Sequence, residues 1–228
     1  DTRVISEKEK EVLPARIETE EADSENYSFV WLKVKDPKDL FLFPNFEEKL
    51  QLNEIIEKGD CRFLTSAGFY REDHSPIGLF ISEEELLGKS VNNTTFNGYF
   101  TVTKGGKVDI APVYSNEPLR IGLQAGPILI KEGIVQKLKI KDDESARRVI
   151  VALTEEGEIV FVAIYEKDSV FQGPYLAALP QTISDLQSEI GVEFTDALNL
   201  DGGTASVFYA DNIKLSELTP FGSYFCIK

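Results

Sequence analysis

The sequence holds no methionine, one histidine, one tryptophan and two cysteines in 228 residues. Each scarcity closes off a chemistry. A single histidine, His74, excludes a serine triad and any multi-histidine metal centre. Cys-x-x-Cys, His-Glu-x-x-His, a Walker loop and Gly-x-Ser-x-Gly are all missing. No stretch is long and apolar enough to span a bilayer. Basic residues are in deficit: 24 Lys+Arg face 39 Asp+Glu, a formal net charge of -15. That balance argues against a nucleic-acid backbone or an anionic membrane surface as the main partner. Acid–base chemistry here rests mostly on carboxylates. The absence of an initiating Met before Asp1 reads as a mature or trimmed chain that has lost a signal or anchor, hence an extracytoplasmic location. Cys61 and Cys226 allow one internal bridge, and two buried free thiols are an equal reading.

What is present is apolar enough to fold. Hydrophobic residues make up 42% and aromatics 11%, which suits one domain with a sizeable core. Residues 1–26 are acid-rich with hardly an aromatic and read as a linker or tail, so the globular domain is expected over 27–228. "YSFVWLKVK" reads as a strand. Residues 45–59 read as a helix with Asn45 as its cap, Glu48 completing a capping box and Gly59 at its end. Residues 98–113 read as a hairpin around "KGGK". "LRIGLQAGPILIKEG" reads as strand, tight turn, strand, and "ARRVIVALTEEGEIVFVAIY" as a second hairpin. Residues 179–191 read as a helix capped by Gly191, and "SYFCIK" as a closing strand. Strands joined by hairpins with two helices predict a single mixed α+β domain built on a largely antiparallel sheet.

The segment "DALNLDGGTASVFY" (196–209) carries the chemistry. On a strand, Asn199 and Asp201 share one face while Leu198 and Leu200 take the other, so the leucines pack and the polar pair meets a cleft. Gly202 and Gly203 let a ligand approach the main chain and can present N–H groups to an anion. Thr204 and Ser206 add hydroxyls. The set suits a sugar or a phosphate. An Asp-Gly turn between two strands is the plainer reading.

"TSAGFYREDHSP", "QAGPILIKEG", "ARRVIVALT" and "ALNLDGGTASVFY" occur in this order, and as a set they resemble the phosphodiester glycosidase family over about residues 27–228. The family pattern is Asn-Ala-Gly-Phe-Phe, then Gln-x-Gly-Pro, an Arg opening a hairpin, and Asn-Leu-Asp-Gly-Gly-Gly-Ser. Many bacterial envelope proteins share the domain. The resemblance implies hydrolysis of a sugar-1-phosphodiester, of the N-acetylglucosamine-1-phosphate type, in envelope or secreted glycoconjugates. It also implies a saccharide or sugar-phosphate ligand. Asp201 matches the motif aspartate and is expected to be the base or nucleophile. Asp73 is expected as the second acid, in competition with Glu72 and Asp196. Arg148 matches the hairpin arginine and, with Arg71, is expected to hold phosphate. Gln124, Gly202 and Gly203 match family positions. The chain departs from the pattern at Ser66, where the family has Asn, at Arg71 in place of a His, and at Thr204 in place of the third Gly. Such departures fit a retuned substrate or a catalytically weakened saccharide-binding domain. Carboxylates beside a phosphate can also share a divalent cation, although no dedicated cage is visible.

Overall fold

The computed structural model describes residues 19–59 and 61–228. Strands β1 (Glu20–Asp23), β2 (Tyr27–Val34) and β3 (Leu40–Pro44) precede helix α1 (Leu52–Glu57). Next come β4 (Phe63–Ser66), β5 (Phe80–Ser82), β6 (Glu85–Gly88), β7 (Gly98–Thr103) and β8 (Val108–Ala111). They are followed by β9 (Leu119–Ala125), β10 (Ile128–Lys131) and β11 (Ile134–Val135). The hairpin β12 (Arg148–Thr154) and β13 (Ile159–Glu166) leads to helix α2 (Leu179–Ile190). The chain ends with β14 (Phe194–Asn199), β15 (Phe208–Ala210), β16 (Ile213–Leu215) and β17 (Ser223–Ile227).

These strands form three sheets, ordered β1-β2-β13-β12-β14-β10-β11, β16-β15-β4-β17-β3 and β6-β5-β9-β7-β8. Every named pairing among them is antiparallel, as the hairpin-rich sequence predicts. The middle of the seven-stranded sheet is buried on both faces, which is why β12 and β13 read as unbroken apolar runs rather than alternating ones. Val149, Val151, Phe161 and Ala163 face the two smaller sheets, while Ile150, Ala152, Val160 and Val162 face α2 through Leu179, Ile183 and Leu186. Phe225 of β17 ties the layers. Its ring lies 5.0 Å from Phe161 in the large sheet and 5.3 Å from Phe100 in the third. Aromatic pairs at this spacing add to the stabilisation that comes from their buried area.

Several expectations are met and several need correction. The hairpins β7–β8 and β12–β13, the helix α2 with its left-handed Gly191 cap, and the closing strand β17 form as read. The first helix is shorter than expected. It begins at Leu52, and its capping box joins Gln51 to Glu54. Asn45 does not cap it, because that side chain is buried and spent elsewhere. It accepts from the Leu50 N–H at 2.8 Å and donates to the carbonyls of Leu50 and Phe221. The β9-turn-β10 unit forms as read, and its turn at Gly126-Pro127 sends β9 into one sheet and β10 into another. Residues 20–23, expected in the tail, add β1 to the edge of the large sheet. The rest of the expected tail, 1–18, lies outside the described residues. Cys61 and Cys226 are bridged.

Candidate functional site

Four sequence motifs that are far apart along the chain meet at the ends of β4 and β14. The Asp201 N–H donates to the Ala67 carbonyl at 2.9 Å, and the Ser66 hydroxyl donates to the Asp201 carbonyl at 2.8 Å. Leu200 N–H reaches the Val149 carbonyl and Gly203 N–H the Arg147 carbonyl, which brings in the start of β12. Asn199 and the Gly126-Pro127 turn complete the group. The Gly126 N–H donates to the Asn199 carbonyl, and Asn199 Nδ2 donates to the Gly126 carbonyl at 3.0 Å. Strand ends supply this convergence because the sheets stop there and leave main-chain groups to be satisfied by loops.

Asp201 lines an open depression of about 320 Å³ together with Phe69, Tyr70, Arg71, Glu72 and Ala205. Its carboxyl is buried, and burial pushes its pKa up to about 8, with the Gly202 N–H as the opposing influence. A carboxyl desolvated to this degree, with one main-chain donor opposing, favours its protonated form at neutral pH. Tyr70 stands beside it. Burial first and then the Asp201 charge raise the Tyr70 phenol, which donates to the Pro220 carbonyl. The Tyr70 ring needs the absence of a side chain at Gly222, where a Cβ would lie 2.5 Å from Tyr70 Cδ1. Arg71 is exposed at the rim and donates to the Pro76 carbonyl at 2.7 Å and to Ser75 Oγ at 3.2 Å. Hydrogen-bond donors of its guanidinium remain for a ligand.

The remaining candidate residues serve other contacts. Asp73 accepts from the Ser75 N–H and hydroxyl, which hold its carboxyl below the usual range, and it faces a neighbouring groove rather than the Asp201 depression. Asp196, at the far end of β14, pairs with Lys131 at 2.8 Å. The Arg148 guanidinium donates to the carbonyls of Pro174 and Glu144 and lies 3.6 Å from Asp143, outside the depression. Gln124 uses all four of its hydrogen-bonding positions. Its Oε1 accepts from Leu79 and Val91, and its Nε2 donates to the carbonyls of Val91 and Phe96. Thr204 meets Thr219 through its hydroxyl. Asn199 is buried, and its Oδ1 has no hydrogen-bond partner among the described residues. Gly202 packs on the Arg147 main chain, and Gly203 has φ +63°. Among the described residues no group of three or more His, Cys, Asp or Glu could hold a metal ion.

Arg147, absent from the sequence-based candidates, organises the loop after Asp201. It is fully buried. Its Nε donates to Ser206 Oγ at 2.7 Å, and its terminal nitrogens donate to the carbonyls of Ser206, Val170 and Ser216. Ser206 Oγ in turn donates to the Gly203 carbonyl. Ser206 is thereby structural. Burial brings the Arg147 pKa down to about 10, with the Glu217 charge acting against it. The signal was in "ARR" (146–148): of two adjacent arginines entering a strand, one points outward and the other inward.

The buried carboxyl of Asp201, the Arg71 guanidinium and the Glu72 carboxyl thus line one open depression at the strand ends. The family model for phosphodiester glycosidases matches residues 60–224, and the chain belongs to that family. In solved structures the chain is similar to the catalytic domain of zebrafish N-acetylglucosamine-1-phosphodiester alpha-N-acetylglucosaminidase, auto-inhibited by its pro-peptide. The TM-score is 0.65 at 16% identity, covering 97% of this chain and 85% of that one. It is also similar to a hypothetical protein from Synechocystis, with TM-score 0.61 and 13% identity over 91% of this chain and 61% of that one. A protein described as exported from Burkholderia pseudomallei gives 0.58 and 9% identity, covering 88% of this chain and 73% of that one. No curated protein matches by sequence.

Proposed function

We propose that the chain hydrolyses a sugar-1-phosphodiester, with the sugar over Asp201 and the phosphate on Arg71. The observation that carries this reading is the desolvated carboxyl of Asp201 in a depression whose rim bears an arginine and a second carboxyl, Glu72. The sequence suggested Asp201 as base or nucleophile; its burial favours the acid role instead. In this mechanism the bond from the anomeric carbon to the bridging phosphate oxygen breaks, and its electron pair goes to that oxygen. Asp201 delivers the proton to the departing phosphate. Water attacks the anomeric carbon and gives its proton to Glu72, as in glycosidases that divide acid and base between two carboxyls. Arg71 offsets the phosphate charge. The products are the free sugar and a phosphomonoester.

The proposed setting is extracytoplasmic. The Cys61–Cys226 bridge supports it, since structural disulfides persist in oxidising compartments. The N-acetylglucosamine-1-phosphate class remains the proposed substrate, on the strength of family membership. The test is sugar release from a panel of sugar-1-phosphodiesters by the purified chain and by Asp201→Asn and Glu72→Gln. Turnover that falls at least about a hundredfold in both variants upholds the assignment. Turnover unaffected by both removes them from the chemistry. Saccharide binding without any turnover leaves a binding domain.

A further inference from the structure

A second, larger cavity of about 720 Å³ lies on the other side of the loop that carries Tyr70 and Arg71. The two spaces share that loop as a wall. Tyr70 lines the Asp201 depression, His74 lines the groove, and their rings stack at 5.7 Å. Arg71 also joins them. It lines the depression, yet it donates to Ser75 and Pro76, which line the groove. Arg71 thus has contacts on both sides of the loop, between the two spaces.

The groove's chemistry restricts what it holds. Glu47, Glu48, Asp73 and Glu85 contribute carboxylates, and Phe43 and Tyr224 contribute ring faces 5.5 Å apart. Among the described residues the ion pair formed by this set is Glu48 with Lys58, at 3.7 Å. Once a phosphate has offset Arg71, the groove has a strong negative balance. A second anionic group would be repelled there, and a cation gains from both the carboxylates and the rings. One of these rings already meets an ammonium: Lys228 Nζ lies 5.1 Å from the Phe43 ring centre, and also 5.2 Å from that of Phe41, which does not line the groove.

We propose that the groove is the site for the acceptor half of the phosphodiester and selects an acceptor that carries an ammonium group. This rests on the reading of the Asp201 depression as the sugar site. The test compares kcat/KM for three substrates that share N-acetylglucosamine-1-phosphate and differ in the acceptor: ethanolamine, ethylene glycol and glycolate. The expected order is ammonium, neutral, carboxylate, with about a fivefold or greater preference for the first over the second. In the double variant Glu47→Gln/Glu85→Gln, two exposed changes that keep side-chain shape, that ratio should move toward one. Because the ratio is internal to each protein, partial misfolding does not mimic the effect. A ratio near one in the unmodified chain, or a carboxylate acceptor handled as well as the ammonium, overturns the proposal. If no substrate turns over, choline titration followed by NMR of the Phe43, Tyr224 and His74 rings decides, with sodium chloride as the control. Saturable choline shifts uphold the ammonium site and count against the glycosidase reading alone. Shifts no larger than those with sodium overturn the groove proposal.

Discussion

The Ser66 hydroxyl donates to the main-chain carbonyl of Asp201 at 2.8 Å, across 135 residues of sequence. Ser66 is fully buried, and the same oxygen also receives the Val207 N–H at 3.4 Å. A position where the family pattern has an amide thus holds the main chain of the candidate acid rather than a ligand. Ser66→Ala leaves a buried carbonyl without its donor, at a cost of about 1–3 kcal/mol. The expected outcome is a lower melting temperature and a reduced kcat with a smaller change in KM, while Ser66→Thr, which keeps the hydroxyl, recovers part of both. Melting curves and steady-state kinetics on the three proteins check it.

Arg147 makes a stronger prediction. Its guanidinium satisfies three main-chain carbonyls and the Ser206 hydroxyl from a fully buried position. Lysine carries one ammonium and cannot reproduce that fork. Arg147→Lys should therefore lose about 3–5 kcal/mol, the cost of breaking a buried charged network. Arg148→Lys, partly exposed and bonded to two carbonyls, should lose less. Denaturant titrations of both variants give the comparison, and equal losses would sink it.

The contrast between those two arginines shows what was legible in the sequence. Strand positions, both long hairpins and α2 followed from apolar periodicity, and the family from motif order, since these are local signals or family-wide ones. The assignment of strands to three separate sheets was not legible, because pairing depends on long-range packing such as Phe225 between Phe161 and Phe100. Side-chain duties were the least legible. Gln124, Ser206 and Arg147 are polar residues in motifs, and a sequence does not say whether such a residue faces a ligand or satisfies buried main chain. Asn45 misled for the same reason: a good helix cap is also a good loop clamp.

Asp201 links the site to a pH dependence with a definite sign. Its pKa in the folded chain is raised to about 8 from an unfolded value near 3.9. The folded state thus binds the proton more tightly, so the stabilisation is fully present below pH ~4 and is lost as pH rises through about 8. Across that window the slope attributable to this group is as much as roughly 1.4 kcal/mol per pH unit. Asp201→Asn removes it. The stability of the unmodified chain minus that of the variant should fall between about pH 4.5 and about pH 7.5. If denaturation midpoints instead keep a constant difference, Asp201 is ionised in the folded chain and the acid role fails. Turnover should decline over the alkaline side for the same reason, as the proton donor is lost.

The two glycines after Asp201 are required for different reasons, and their substitutions should differ. A Cβ at Gly202 would lie 2.7 Å from the Arg147 carbonyl oxygen, a main-chain atom that cannot rotate away. That oxygen is also the acceptor for the Gly203 N–H at 2.7 Å, so relieving the clash pulls apart the bond that closes the loop. Gly203 has room, with Ala146 Cβ at 3.8 Å as its nearest neighbour, but its φ of +63° carries a left-handed penalty of about 1–2 kcal/mol for alanine. Gly203→Ala should therefore fold and keep much of its activity, because the strain stays local. Gly202→Ala should lose more stability, and its activity should fall further than its stability implies, since the displaced segment is the one that holds the Asp201 carboxyl. Plotting kcat/KM against denaturation midpoint for the two variants separates the effects. A shared line would mean that the loop acts through stability alone.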